Sequence, residues 1–194
     1  DNVWGWCNHG ATILSNITDD EPDIKSVVQL EEQAIAYTFD RITGAPVWPI
    51  IERPVPGSNN PGEWISPTQP FPTKPLPFDR HGITEDDLID FTPELRAEAE
   101  ERASYYRLGP IFTPPTVSRL EGPLGTLTAP AQGGGTNWPG GSYDPETQSL
   151  YVSSNSSLGA LGLMPPYPGQ SDMDYIQGNA VTGPRTSGGS GSSA

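Results

Sequence analysis

Alternating runs of apolar and polar residues in this chain are short, and turn residues separate them. Residues 11–17 (ATILSNI) form a brief apolar stretch, and 19–25 (DDEPDIK) read as a turn, with charge, proline and no period. Residues 27–30 (VVQL) and 34–39 (AIAYTF) alternate with β-branched and aromatic side chains, which predicts two strands with Glu31 and Glu32 at the tight connection between them. RITG at 41–44 supplies the next turn, with Gly44 suited to a positive φ, and Val47 and Trp48 predict the start of another strand.

The pattern then changes twice. Residues 49–82 are so rich in proline that regular helix and central strand are excluded. Trp64, Phe71 and Phe78 lie among those prolines, so the passage reads as an ordered excursion packed on a neighbouring surface, not as a linker. One convincing helix follows. Thr92 is placed to cap it, Pro93 suits its first position and Glu94 its positive end. Leu95, Ala99, Arg102, Ala103 and Tyr106 draw a modest apolar stripe, and Gly109 and Pro110 end the helix. TEDDLIDF just before it suits a short extra turn. Residues 111–157 return to strand and turn: 125–128 (GTLT), a glycine-rich turn, a strand, a DPET turn, and SLYVSS. Residues 158–194 are rich in Gly, Ser and Pro and are expected to be a loop or a tail with too little apolar surface to order itself.

The 22 Gly and 23 Pro among 194 residues bring low complexity into view, but five Trp, seven Tyr and five Phe argue for an irregular, loop-rich β protein. A closed core of ordinary density is hard to build from such a chain alone. A net charge of −14 disfavours nucleic acid and anionic membrane surfaces as partners. Cys7 is the single cysteine, which excludes an intramolecular disulfide and a cysteine-rich zinc site. No apolar run reaches the length of a membrane span, and the first residues lack the features of a leader, so the chain is expected to begin mid-protein or after processing.

Two segments echo each other. AYTFDRITGAPVW at 36–48 and GGSYDPETQSLYV at 140–152 each place an Asp and a turn Thr between short strands, as repeated blades or solenoid turns would. In the first, Ala36, Asp40, Thr43, Gly44 and Trp48 resemble the tryptophan-docking motif of quinoprotein propeller blades. The long passage from Val47 through the helix resembles the insertion in membrane-type dehydrogenases for glucose and alcohols that depend on pyrroloquinoline quinone (PQQ). LGPIFTPP, GTLTAPAQGGGTNWPGGSYDPET and SDMDYIQGNAVTGPR continue the likeness in the same order, over roughly residues 2 to 185.

The resemblance implies an all-β fold, a partial β-propeller belonging to an eight-bladed one, with a Pro-rich excursion and a short helical insertion. Blade strands are expected at 1–48 and 111–157, the insertion at 49–110, and the tail at 158–194. PQQ and calcium are the implied cofactors, a sugar or alcohol the substrate, and a quinone or cytochrome the electron acceptor. The remaining propeller blades are implied partners, and the periplasm or the periplasmic face of the inner membrane is the implied location.

At two positions the chain departs from that pattern. The family's general-base Asp follows the first Trp of a Trp-Asp-x-Asp motif, which here reads Trp4-Gly5-Trp6-Cys7; Gly5 cannot take a proton. The family's cofactor lysine falls in a segment that here reads Val27 through Gln33 and puts Glu32 in its place, reversing the charge beside the quinone. Reversing an attraction near 4 Å is worth several kcal/mol, roughly, at an effective dielectric near 20. The expected catalytic set within this chain is therefore empty.

The implied cofactor contacts are Trp138, for which a packing role is the competing reading, and Asn155, with Ser154 one register away. His9 has no partner at ligand spacing and reads as structural or exposed, and His81 in its Pro-rich loop still more so. Residues 133–135 are all glycine, but no GK[ST] follows and no helix begins there, which excludes a phosphate loop. Asp86 with Asp87, and Asp172 with Asp174, lack calcium-loop spacing and read as solvated charges. Asn16 begins a short glycosylation sequon, a pattern common by chance. A non-catalytic or decayed propeller segment is the alternative to a working oxidoreductase.

Overall fold

The structure is a computed structural model that describes residues 4–6, 10–18 and 23–180. His9, Cys7 and the end of the tail lie outside the described residues. In chain order the strands are β1 (Ile13–Ile17), β2 (Ile24–Leu30), β3 (Ala36–Asp40), β4 (Ile50–Pro54), β5 (Thr68–Pro72) and β6 (Gly82–Ile83). The helix α1 (Pro93–Ala103) follows, and after it β7 (Tyr106–Arg107), β8 (Gly109–Pro110), β9 (Thr116–Val117) and β10 (Gly125–Thr128). The last strands are β11 (Gly141–Asp144), β12 (Ser149–Val152), β13 (Gly159–Met164) and β14 (Ile176–Gln177).

The alternation in 24–30 does what period-2 patterning requires. Ser26, Val28 and Leu30 turn inward from β2, and β1 and β3 flank it antiparallel, with Ile13 opposite Val28 and Leu30 opposite Ala36. Ile13, Val28, Leu30 and Ala36 form one buried cluster, closed by Phe78, Tyr143, Leu150 and Val152. The hydroxyls of Ser15 and Ser26 bond to each other at 2.7 Å inside that meander, so neither is left unmet. A second cluster joins Trp4, Trp6, Ile111 and Phe112, with Trp4 and Trp6 stacked 5.9 Å apart. Their indole N–H groups donate to the carbonyls of Thr113 and Ala131, which ties the start of the chain to segments more than a hundred residues away.

The Pro-rich passage is ordered. Its β4 and β5 pair as a two-stranded hairpin, tolerable for proline because neither strand is flanked on both sides. Thr92 caps α1 as expected, its hydroxyl accepting from the Leu95 N–H at 3.2 Å, and residues 85–87 add one 3-10 turn before it.

Three expectations need correction. Val47 and Trp48 are a bend, and the strand starts at Ile50, because Phe39 bridges Pro46 and closes the preceding turn first. The helix stops at Ala103 and its stripe is not a core face: Ala103 alone is buried, and Tyr106 belongs to β7, drawn into register beside Gly125. The tail is not wholly loop. Residues Gly159–Met164 are β13, which pairs with β10, β9 and β14 in a five-stranded sheet. Local composition concealed this because β13 (GALGLM) draws its stability from neighbours. A side chain at Gly162 would meet the Leu124 carbonyl at 2.4 Å, so the glycine is what lets the strands approach. Small sheets, antiparallel except where β7 pairs with β10 and β9 with β13, together with one short helix, make the described residues a partial β-propeller.

Candidate functional site

Leu30 and Ala36 are joined by a turn at 31–34, held by the Glu31 N–H to the Ile35 carbonyl and the Ala34 N–H to the Glu31 carbonyl, both at 2.9 Å. Ala34 takes a φ of 61° to close it, a left-handed conformation that a β-carbon makes unfavourable. Both acidic residues of the turn are buried. Loss of hydration, and then the charge of Glu32, push the Glu31 carboxyl up to about 8.

Gly134 and Gly135 of the glycine run lie against this turn, while Gly133 stands clear of it. A β-carbon on Gly134 would fall 2.5 Å from that of Glu32, and one on Gly135 would fall 2.9 Å from that of Ala34. The glycines thus serve close backbone approach, in keeping with the exclusion of a phosphate loop. The Gly135 N–H donates to the Glu32 carbonyl at 2.8 Å, and the Asn155 N–H donates to the Gly135 carbonyl at 2.7 Å. Asn137 donates from Nδ2 to Glu32 Oε1 at 2.8 Å. A distant segment, 134–137, therefore closes on the turn, and Asn155 is tied to that segment in turn.

Among the residues singled out from sequence, Glu32 lies at the centre of this arrangement. Asn155 reaches it through its backbone. The Ser154 hydroxyl donates to Asp79 together with that of Ser156, and its oxygen lies 3.4 Å from where a β-carbon on Gly135 would sit. Trp138 follows Asn137 with its ring 71 % exposed, available to a flat partner and not packed in a core. Gly5 is exposed at φ 73° between two buried tryptophans, and no atom lies within 4 Å of where its β-carbon would be. His81 bonds through Nε2 to the Gln33 carbonyl at 2.6 Å, behind the turn, and burial lowers its pKa. Asp87 is used locally, accepting from Thr84 and pairing with Arg80. Among the described residues no group of three His, Cys, Asp or Glu side chains could hold a metal ion. Glu31 and Asn137 were missed: the burial of Glu31 is set by packing, and Asn137 meets Glu32 across 105 positions that no spacing rule connects.

Beside the turn lies a cleft of about 430 Å³, walled by Trp6, Phe39 and Phe112 and floored by Glu31 and Gln33.

Set against known proteins, the chain matches the family model for the β-propeller domain of PQQ-dependent glucose, ethanol and alcohol dehydrogenases over residues 1–190. The chain belongs to that family. It is 27 % identical over 179 residues to the glycerol dehydrogenase large subunit of Gluconobacter thailandicus, covering 84 % of this chain and 23 % of that protein. To the quinoprotein glucose dehydrogenase A of Acinetobacter calcoaceticus it is 32 % identical over 133 residues, covering 64 % and 15 %. To the quinate/shikimate dehydrogenase (quinone) of Acinetobacter baylyi it is 28 % identical over 116 residues, covering 60 % and 14 %. The chain spans less than a quarter of the length of these curated relatives. No solved structure gives a significant match.

PQQ and calcium are the cofactors this quinoprotein family implies. PQQ is a carboxylated quinone, anionic at neutral pH, and the buried turn at 31–34 carries two glutamates and no Lys or Arg. The residues present on this chain do not fit that charge.

Proposed function

We propose that this chain is the propeller segment of a PQQ-dependent oxidoreductase whose whole protein oxidises a sugar or alcohol hydroxyl. Electrons would pass to a quinone or a cytochrome, in the periplasm or at the periplasmic face of the inner membrane. The segment supplies blade framework to the remaining propeller blades, and Trp138 and Asn155 face the cofactor side. The observation that carries this reading is the family match running through residues 1–190, insertion included.

A second reading, a propeller segment whose chemistry has lapsed, is supported by the family resemblance, which implies a base and a lysine at the positions where this chain has Gly5 and Glu32. General-base catalysis needs a proton acceptor within hydrogen-bond reach of the hydroxyl, and Gly5 offers none.

The purified chain supplied with PQQ and calcium is expected to reduce no dye with glucose, glycerol or ethanol. Robust turnover would overturn the assignment of the reacting groups to other parts of the protein. In the full-length parent, Gly5→Asp combined with Glu32→Lys separates the two readings. The open space at Gly5 accommodates an aspartate, and Asp tolerates positive φ better than most residues. A rise in dye reduction supports lapsed chemistry at these positions, whereas an active parent left unchanged by the pair places the reacting groups elsewhere.

A further inference from the structure

The chain carries 24 Asp and Glu against 10 Lys and Arg, so two cations that share a space without an acid between them run against its composition. One cleft, of about 460 Å³, holds such a pair: Arg107 of β7 and Arg119, just after β9, both line it, and no Asp or Glu does. Among the described residues neither guanidinium has a hydrogen bond, an ion pair or a ring contact. Other arginines of the chain are matched: Arg80 pairs with Asp87, Arg96 with Glu100 and Arg102 with Glu98, and Arg53 lies over the Phe71 ring. The acids in adjoining loops do not fill the gap. Glu63 is committed to Ser58 and Asn60, and Glu121, Asp172 and Asp174 pair with neither arginine. Residues 181–194, which continue the chain from the Ala180 amide bonded to Ser118, include no Asp or Glu.

The backbone beneath both arginines is fixed. Arg107 stands in parallel register with Thr126 of β10. Arg119 closes its own loop, its N–H donating to the Pro123 carbonyl and its carbonyl accepting from the Gly122 N–H, both at 3.0 Å. Ser118 before it donates to the Leu163 carbonyl at 2.8 Å. Asn60, 7 % exposed, knots the opposite wall: Nδ2 donates to the Pro115 carbonyl at 2.8 Å, and Oδ1 accepts from the Val117 N–H at 3.1 Å. That knot holds Asn59 in the same lining as Thr116 and Tyr175, whose side chains add an amide and two hydroxyls. None of those three polar groups has a partner among the described residues.

We propose that this cleft binds a small oxyanion, a carboxylate or phosphate group carried on a hydroxylated molecule. Two guanidinium groups bordering one space repel each other, and an oxyanion between them turns that repulsion into attraction. The planar fork of arginine matches the paired oxygens of a carboxylate or a phosphate. Asn59, Thr116 and Tyr175 hydrogen-bond the hydroxyl groups of the same molecule. The volume lies in the range of small-molecule sites. A cation would meet the wrong field, and an apolar molecule would cover both guanidinium groups without a partner. The inference stands on this cleft alone and takes nothing from the dehydrogenase reading.

The test uses the full-length parent without its quinone, so that the remaining blades are in place. Gluconate and glycerol phosphate are titrated by calorimetry at neutral pH and low salt, with glucose and glycerol as their uncharged counterparts. Saturable one-to-one binding of at least one of the two anions is expected, and the tighter one identifies the oxyanion. Arg107→Gln and Arg119→Gln should each weaken it at least about tenfold, since hydrogen bonds to charged groups are lost. Arg119→Lys should recover part of the loss, because the charge returns without the fork. Arg119 is exposed, so its replacement leaves packing alone; if Arg107→Gln does not fold, Arg119→Gln decides. Three results would overturn the proposal: no saturable binding of either anion, as when the remaining blades cover the cleft; binding indifferent to Arg119→Gln; or equally tight, arginine-dependent binding of the uncharged counterparts. No turnover is read, so failure here leaves the dehydrogenase reading intact, and the converse also holds.

Discussion

Strand β3 has a turn at each end, and the two are built on opposite plans. The outer turn, at 40–44, satisfies itself: Asp40 Oδ1 accepts from the Ile42 and Thr43 N–H groups at 2.7 and 3.1 Å, and Gly44 takes φ 75° without a β-carbon to resist. Those amides hold the Asp40 carboxyl below the usual carboxylate range. The hairpin between β11 and β12 repeats the device, with Asp144 accepting from the Glu146 N–H and the Thr147 hydroxyl. The inner turn, at 31–34, is buried, carries two glutamates, and forces Ala34 into the left-handed region. Gly134, Gly135 and Asn137 complete it from across the chain. A turn that meets its own polar groups can sit in water and tolerate change around it. One that relies on distant segments binds those segments together, and it concentrates unusual charge where they meet.

The largest break in this contrast should come from Glu31→Gln at high pH. The folded-state pKa of about 8 stands above the ordinary 4.5, so the contribution of Glu31 to stability is full below 4.5 and is lost as pH rises through 8. Replacing it should add roughly 4 kcal/mol at pH 9, an upper-range figure from the pKa difference. It should leave stability at pH 4 nearly unchanged. Urea unfolding at the two pH values checks this, and a destabilised variant at pH 9 would mean that the ionised carboxylate is well solvated or paired.

Next in size is Gly134→Val. Its side chain would collide with the Glu32 β-carbon and sit at φ 77°, costing about 3 kcal/mol. A shift in the urea midpoint of that size would confirm that the glycine run is a packing device. Asn137→Ala should cost about 1.5 kcal/mol by leaving Glu32 short of a charge-assisted donor. Hydrogen exchange at the Gly135 and Asn155 amides should rise in parallel.

The smallest effect belongs to the outer turn. Asp40→Ala should lower the thermal midpoint only slightly at neutral pH. Its folded-state pKa is depressed, so its contribution is present above the ordinary value of 3.8 and disappears as pH falls through the lowered one. Wild type and variant should converge in strong acid; a large effect at pH 7, equal to that of Gly134→Val, would erase the distinction between the two turns.

This contrast also explains what was legible beforehand. The pairing of β2 with β3, the turn at Asp40, its echo at Asp144 and the cap at Thr92 rest on residues within a few positions of each other, where propensity, alternation and short-range hydrogen bonds act. The family likeness, carried by such local motifs and their order, was legible for the same reason. The end of α1 at Ala103, the bend at Trp48 and the strand at Gly159–Met164 were not legible, because each is set by a partner strand far along the chain.

At the site, Gly5 and Glu32 could be placed from sequence as departures from a pattern. That Glu31 is buried beside Glu32, that Asn137 reaches Glu32, and that Gln33 keeps an unmet side-chain oxygen could not. The sequence by itself determined the alternating strands, the self-satisfied turns and the family, because those follow from neighbours bonded or nearly bonded in the chain. Only the tertiary structure decided which carboxyl group loses its water and which glycines must have no side chain. Dehydration and close approach are properties of the packed assembly, set by segments that sequence distance keeps apart.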